Sequence, residues 1–183
     1  MTTETDPARP ARPVTIDSGP VDWQILQQDR NGLASITLAG RWNTLVERRK
    51  PEVQVRICRE GDFGAITRGH DWTRARTRVD RSVTGDDAGK SGRWTLTLEN
   101  IPRGGPYRLV TTVGSAEDAI EWRRGGDVIH FFGVGDLWLI AGQSNAEGYG
   151  RDPVDDPAEI GIHQFDGRGW RLAAHGQHHS PWL

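Results

Sequence analysis

Ser144 is the residue whose type and neighbourhood point most directly to chemistry. It lies in Gly142-Gln143-Ser144-Asn145, just after Leu137–Ala141, which is apolar at every position. A serine that follows a buried strand and opens a helical turn meets free backbone N–H donors and a partial positive charge. Such donors stabilise the oxyanion formed when a hydroxyl attacks an ester carbonyl. Gly142 lets the chain turn sharply and leaves room for a substrate. A hydroxyl is a weak nucleophile near neutral pH, so a histidine oriented by a carboxylate has to accompany it. A structural reading uses the same letters: Ser144 and Glu147 fit the S-x-x-E capping box, in which the serine only closes a helix end. The G-x-S-x-G elbow does not fit, because its second glycine would fall at Ala146.

The stretch VGDLWLIAGQSNAEGYG resembles the opening catalytic block of the sialate O-acetylesterase family, a branch of the SGNH (GDSL-like) hydrolases. Gly135, Asp136, Trp138, Leu139, Gly142, Gln143, Ser144 and Asn145 match that block as they stand. Leu137 stands where valine is usual, and Ala146 where methionine is usual. The resemblance implies that Ser144 carries the acyl group and that its own N–H helps form the oxyanion hole. It also implies that Gly142, Gln143 and Asn145 line the site. The family takes its histidine from an Asp-x-x-His block near the carboxyl end. Asp166-Gly167-Arg168-Gly169 fails that pattern. Asp127-Val128-Ile129-His130 fits the letters but precedes Ser144, so it is set aside and the base is expected outside these residues.

Other clusters are weaker. His163, His175, His178 and His179 gather late in the chain, and imidazoles can hold a metal. Without a nearby carboxylate they read as solvated, and no metal or cofactor is expected. Asp152, Asp155 and Asp156 lack the glycine and spacing of an EF-hand loop and read as a polar surface loop. Arg74, Arg76 and Arg78 alternate with Thr73, Ala75, Thr77 and Val79, as one face of a strand. They could hold an acidic glycan, but a solvated outer face is the plainer reading. Trp23, Trp94 and Trp138 fall on apolar stripes and read as core.

The elements that must position Ser144 follow from the hydrophobic period. Between Val21 and Phe132 the period is two: Ile36 and Leu38 oppose Ser35 and Thr37, Val53, Val55 and Ile57 oppose Gln54, Arg56 and Cys58, and Trp94, Leu96 and Leu98 oppose Thr95 and Thr97. Turn signals such as Asn31-Gly32, Lys50-Pro51 and Gly104-Gly105-Pro106 separate the runs. The pattern predicts an antiparallel β-sandwich of about seven strands over residues 21–133, after a disordered tail over residues 1–20. The continuous run Leu137–Ala141 predicts a strand covered on both faces. With the resemblance, it marks residues 134–183 as the start of a flavodoxin-like α/β hydrolase domain, apparently incomplete. The expected fold class is therefore mixed, a β-sandwich followed by part of an SGNH-type α/β domain.

The chain has 183 residues, a formal net charge of −2 and a single cysteine, Cys58. That excludes an internal disulfide framework and a multi-cysteine zinc site, and gives no global field towards nucleic acid or membrane. No secretory signal or transmembrane run is present, so a cytoplasmic location is expected. Two functions remain. One is a serine esterase removing acetyl groups from carbohydrates, with an acetylated carbohydrate as partner; lacking the Asp-x-x-His block, these residues alone are expected to be inactive. The other is a non-catalytic sandwich module that binds glycans or acts as a spacer, with a truncated hydrolase remnant.

Overall fold

A computed structural model describes residues 12–44, 51–115, 117–142 and 158–173. Among them the strands are β1 (Val14–Ser18), β2 (Ile25–Gln27), β3 (Leu33–Asn43), β4 (Pro51–Arg59), β5 (Thr73–Arg74), β6 (Arg76–Val79), β7 (Ser91–Pro102), β8 (Gly104–Ser115), β9 (Arg124–Gly135), β10 (His163–Phe165) and β11 (Trp170–Leu172). One sheet has the order β1-β3-β7-β6, a second has the order β2-β9-β8-β4-β5, and β10-β11 is a separate hairpin. Pairing is antiparallel throughout except between β2 and β9, which run parallel from Ile25↔Gly133 to Gln27↔Gly135.

The two larger sheets bury a common core. Alternation along β3 sends Ile36, Leu38 and Trp42 inward, and along β4 it sends Val53, Val55 and Ile57 inward. Trp94 and Leu98 of β7, Leu109 and Val113 of β8, and Phe132 and Val134 of β9 complete the cluster. Each of the two core tryptophans in the first sheet lies opposite a glycine of the neighbouring strand: Gly40↔Trp94 and Trp42↔Gly92. A Cβ on Gly40 would collide with the Thr15 carbonyl and come within 2.8 Å of Trp94 Nε1, and a Cβ on Gly92 would collide with the Arg78 carbonyl and come within 2.9 Å of Trp42 Cε2. The indole of Trp94 is fixed further by its N–H, which donates to Thr15 O at 3.1 Å.

At the far end of the second sheet a buried ion pair links β4 to the turn before β9. Arg123 Nη2 lies 2.7 Å from Glu52 Oε1 and donates to Ser115 O at 2.9 Å. Arg74 Nε lies 2.5 Å from the other Glu52 oxygen. The carboxylate is thereby paired on both sides, which a buried charge requires.

Three expectations are corrected. First, Val14–Ser18 is not part of a disordered tail: it pairs with β3, and Val14 is fully buried. Second, Arg74, Arg76 and Arg78 do not share one strand. Ala75, buried and donating its N–H to Val53 O at 2.9 Å, divides β5 in one sheet from β6 in the other. Third, the α/β half of the expected fold class is wrong. The described residues are β-rich and contain no α-helix, only short 3-10 turns at Arg68–His70, Gly85–Asp87 and Ile120–Trp122. Beyond Gly135 they hold a single antiparallel hairpin, β10-β11. Periodicity reports how apolar a segment is and not whether crossover helices cover it, and a flavodoxin-like sheet needs those helices. No helix among the described residues is long and apolar enough to cross a membrane.

His70 is a buried titratable group of the sandwich. Its Nε2–H donates to Glu99 O at 3.0 Å and its Nδ1 accepts from the Thr67 hydroxyl at 2.6 Å, an arrangement that suits the neutral ring. Burial pushes its pKa below the ordinary 6.5, against a smaller opposing effect of the Glu99 carbonyl. The unfolded chain then binds more protons than the native one as pH falls past that ordinary value, so stability drops in that direction.

Two outcomes are expected. Gly40→Ala lowers stability by about 2–3 kcal/mol in urea titration. Gly125→Ala, where an added Cβ meets nothing within 4 Å, changes it by less than about 0.5 kcal/mol. Stability measured between pH 7 and pH 5 falls with pH in the wild type, and a folded His70→Gln variant shows a shallower fall; equal slopes would remove His70 from the account.

Candidate functional site

The geometry that leads towards Ser144 is built where β2 meets β9. Just before the parallel pairing begins, Trp23 and Phe131 adopt left-handed backbone conformations, with φ of 65° and 57°. For bulky L-residues this costs about 1–2 kcal/mol each, and it persists only where the surroundings over-determine it. Here they do. The two rings stack with centroids 4.2 Å apart and planes 9° from parallel. Trp23 N–H donates to His130 O at 3.1 Å, and Gly133 N–H donates to Gln24 O at 2.9 Å. The Asp22 carboxylate accepts from His130 N–H at 2.7 Å, and Glu60 Oε2 accepts from Phe131 N–H at 3.3 Å.

Two histidines flank this stack. His130 Nδ1 lies 3.2 Å from Glu60 Oε1, an imidazole oriented by a carboxylate, as a general base would be. No hydroxyl or thiol of the described residues is hydrogen-bonded to that ring, so in this setting the pair cross-links β9 to the end of β4. His163 of β10 sets its edge against Trp23 at 5.5 Å. Each of its ring nitrogens faces a carbonyl oxygen, Nδ1 that of Trp23 at 2.6 Å and Nε2 that of Ile160 at 2.9 Å. It therefore docks the hairpin and is not assembled with other metal-ligating side chains. Among the described residues no three of His, Cys, Asp and Glu converge on a point.

The exit of β9 is clamped by two glutamines of the β2 end. Gln28 N–H donates to Gly135 O at 2.8 Å, Gln28 Nε2 donates to Asp136 Oδ1 at 3.0 Å, and Gln27 Oε1 accepts from Leu137 N–H at 2.9 Å. A shallow polar cleft of about 260 Å³ adjoins the clamp, lined by both glutamines, Asp29, Ser35 and Asn100. Asp29 caps the neighbouring turn. The Leu33 and Asn31 N–H groups hydrogen-bond its carboxylate and hold its pKa below the ordinary range, the Leu33 contact being the largest effect.

After the clamp the expected buried strand does not form. Leu137–Ala141 has no strand pairing, and Trp138 and Leu139 are 86% and 92% exposed. Trp138 is thus a surface residue and not the core residue its apolar stripe suggested. An apolar run becomes a two-face-buried strand only where neighbours take its hydrogen bonds and cover it, and among the described residues none does. Gly142 is exposed, while Gln143, Ser144 and Asn145 lie outside the described residues, as do His175, His178, His179, Asp152, Asp155 and Asp156. The Asp127-x-x-His130 letters do not come together: Asp127 accepts from Ile16 N–H at 3.0 Å and pairs with Arg12 at 3.3 Å, whereas His130 meets Glu60. Glu60, Phe131 and the two glutamines carry no sequence signal of their own, because parallel register and left-handed aromatics are set by tertiary contacts.

No protein-family model and no curated protein matches this chain.

If the glutamines hold the segment that leads to Ser144, a Gln27→Ala/Gln28→Ala variant loses side-chain bonds worth about 1 kcal/mol each. Amide exchange at Leu137 then rises about tenfold, while the urea midpoint of the sandwich stays where it was. Unchanged exchange at Leu137 would show that the clamp holds nothing.

Proposed function

We propose that this polypeptide carries the nucleophile segment of a serine esterase that removes O-acetyl groups from carbohydrates, with the β-sandwich as the module that presents it. The reading is supported first by the block Gly135-Asp136-x-Trp138-Leu139…Gly142-Gln143-Ser144-Asn145, which resembles that of sialate O-acetylesterases. The observation that carries it is the contrast between the tethered start of the segment and the exposed residues that continue it. Gly135, Asp136 and Leu137 are tied by three hydrogen bonds to Gln27 and Gln28 at the end of β2, yet the apolar run from Leu137 to Ile140 is 46% to 92% exposed. Four consecutive exposed apolar residues on a tethered chain are not explained by the sandwich core, which is complete without them. They suit a segment whose sequence is set by the Gly-Gln-Ser-Asn residues that follow it.

In the reaction, Ser144 Oγ attacks the acetyl carbonyl while an imidazole base takes its proton. The carbonyl π electrons move onto oxygen and are held by backbone N–H groups. Collapse of the intermediate expels the sugar oxygen, which receives the proton. Water then attacks the acetyl-serine by the same route and releases acetate.

The alternative, a glycan-binding module without catalysis, is favoured by the cationic, hydroxyl-bearing outer face of the first sheet, described below. Acetate release from an O-acetylated sugar by the natural polypeptide separates the two. The esterase reading expects Ser144→Ala to lower kcat by about a thousandfold or more with an unchanged circular dichroism spectrum. A folded Ser144→Ala variant with wild-type turnover would reject it.

A further inference from the structure

The outer face of the first sheet brings together arginines that are far apart in sequence. Arg41 of β3 is the register partner of Arg93 of β7, and Arg93 is the partner of Arg78 of β6. Directly paired residues point to the same side of a sheet, so the three guanidinium stems stand in one rank across three strands, all exposed. Arg76, paired with Thr95, stands two residues along β6 on the same side. Arg41 is engaged by Asp17, with Nε to Oδ2 at 3.1 Å and Nη2 to Oδ1 at 3.3 Å. Asp80, whose carboxylate lies near Arg93, is occupied by the N–H and hydroxyl of Ser82 at 3.0 and 2.7 Å. Arg76 and Arg78 have no ion pair among the described residues, and Glu99 lies farther along β7.

Like charges set directly opposite one another across strands destabilise a sheet. Nothing in the packing of this face needs them, since Trp42, Trp94 and Leu98 fill the other side. Around the rank the outward positions are Ser35, Thr37, Thr95 and Thr97, and the Thr37 and Thr97 hydroxyls meet at 3.2 Å. The face is therefore rich in hydroxyls and cationic. Among the described residues it offers no aromatic platform of the kind that single-stranded nucleic acid stacks on, no element that could enter a duplex groove, and no large apolar anchor of a protein interface.

We infer that this face binds a carboxylate-bearing polysaccharide, with Arg78 and Arg93 each clasping a carboxylate and the threonine hydroxyls bonding ring hydroxyls. A guanidinium presents a planar fork that matches a carboxylate in two hydrogen bonds. Neighbouring strands are about 4.8 Å apart, which places successive guanidinium groups on the length scale of one sugar ring. The choice of a glycan rests on the proposed action on carbohydrates; the anionic character rests on the arginine rank alone.

Affinity electrophoresis of the full chain tests it, with polygalacturonate, fully methyl-esterified pectin and a double-stranded DNA oligomer as probes. The expected result is retardation by polygalacturonate that weakens as salt is added, and little by the esterified polymer. Arg78→Gln/Arg93→Gln should weaken binding at least tenfold, and Arg93→Glu further, with thermal midpoints near wild type. No retardation of the wild type, equal retardation of the double variant, or stronger retardation by DNA would each overturn the inference. Acetate release, assayed in parallel on the natural polypeptide that also carries the histidine base, keeps the two claims apart. Retardation without hydrolysis retains the surface and rejects the esterase, and hydrolysis without retardation does the reverse.

Discussion

The sandwich depends on two reciprocal contacts in which a tryptophan occupies the space that a glycine leaves open. Trp94 packs over Gly40 and Trp42 over Gly92, so β3 and β7 are joined in two places by the largest side chain set against the smallest. The arrangement favours one register, because a slip of one residue would turn the slipped strand's indole to the solvent side and put a side chain where its glycine meets a neighbouring carbonyl. Once β3 and β7 are locked, the outer strands β1 and β6 have fixed places at the two edges. The remaining core residues of β4, β8 and β9 then have a surface to close on.

β9 carries that order to the end at which the chain leaves the sandwich. Its middle is ordinary core strand, with Phe132 and Val134 buried. Its partner β2 is held in parallel alignment by the Trp23–Phe131 stack, where the backbone accepts two left-handed aromatics. Strain of that kind is tolerated only when several contacts compete to impose it, and here the Asp22 and Glu60 carboxylates and the docked His163 share the task. The consequence is a defined exit at Gly135, from which the segment towards Ser144 leaves under the hold of Gln27 and Gln28.

The two faces of the first sheet divide the labour. The inner face supplies cohesion through indoles and aliphatics, while the outer face carries charge in a pattern that cohesion does not require. The second sheet differs: its buried Glu52 is neutralised by Arg123 and Arg74, so charge there serves packing. The buried cluster is fully paired, whereas in the exposed rank Arg41 is paired with Asp17 and Arg78 has no ion pair among the described residues.

How much of this was legible beforehand varies by residue. The inward sets Ile36 and Leu38, and Val53, Val55 and Ile57, follow from alternation alone, because a strand with one dry face has no other way to satisfy its side chains. The serine and its flanking glycine are likewise a property of the letters, whatever surrounds them. The strand expected at Leu137–Ala141 was not legible, since hydrophobicity says nothing about who will cover a segment. Nor was Val14–Ser18, whose polar company hides a fully buried valine. The arginine rank lay beyond sequence altogether. Arg74, Arg76 and Arg78 read as one stripe until Ala75 turns inward and sends the chain from one sheet to the other. Only the register of β6, β7 and β3 then sets Arg78 beside Arg93 and Arg41, because cross-strand neighbours are chosen by hydrogen-bond pairing between distant segments and not by spacing along the chain.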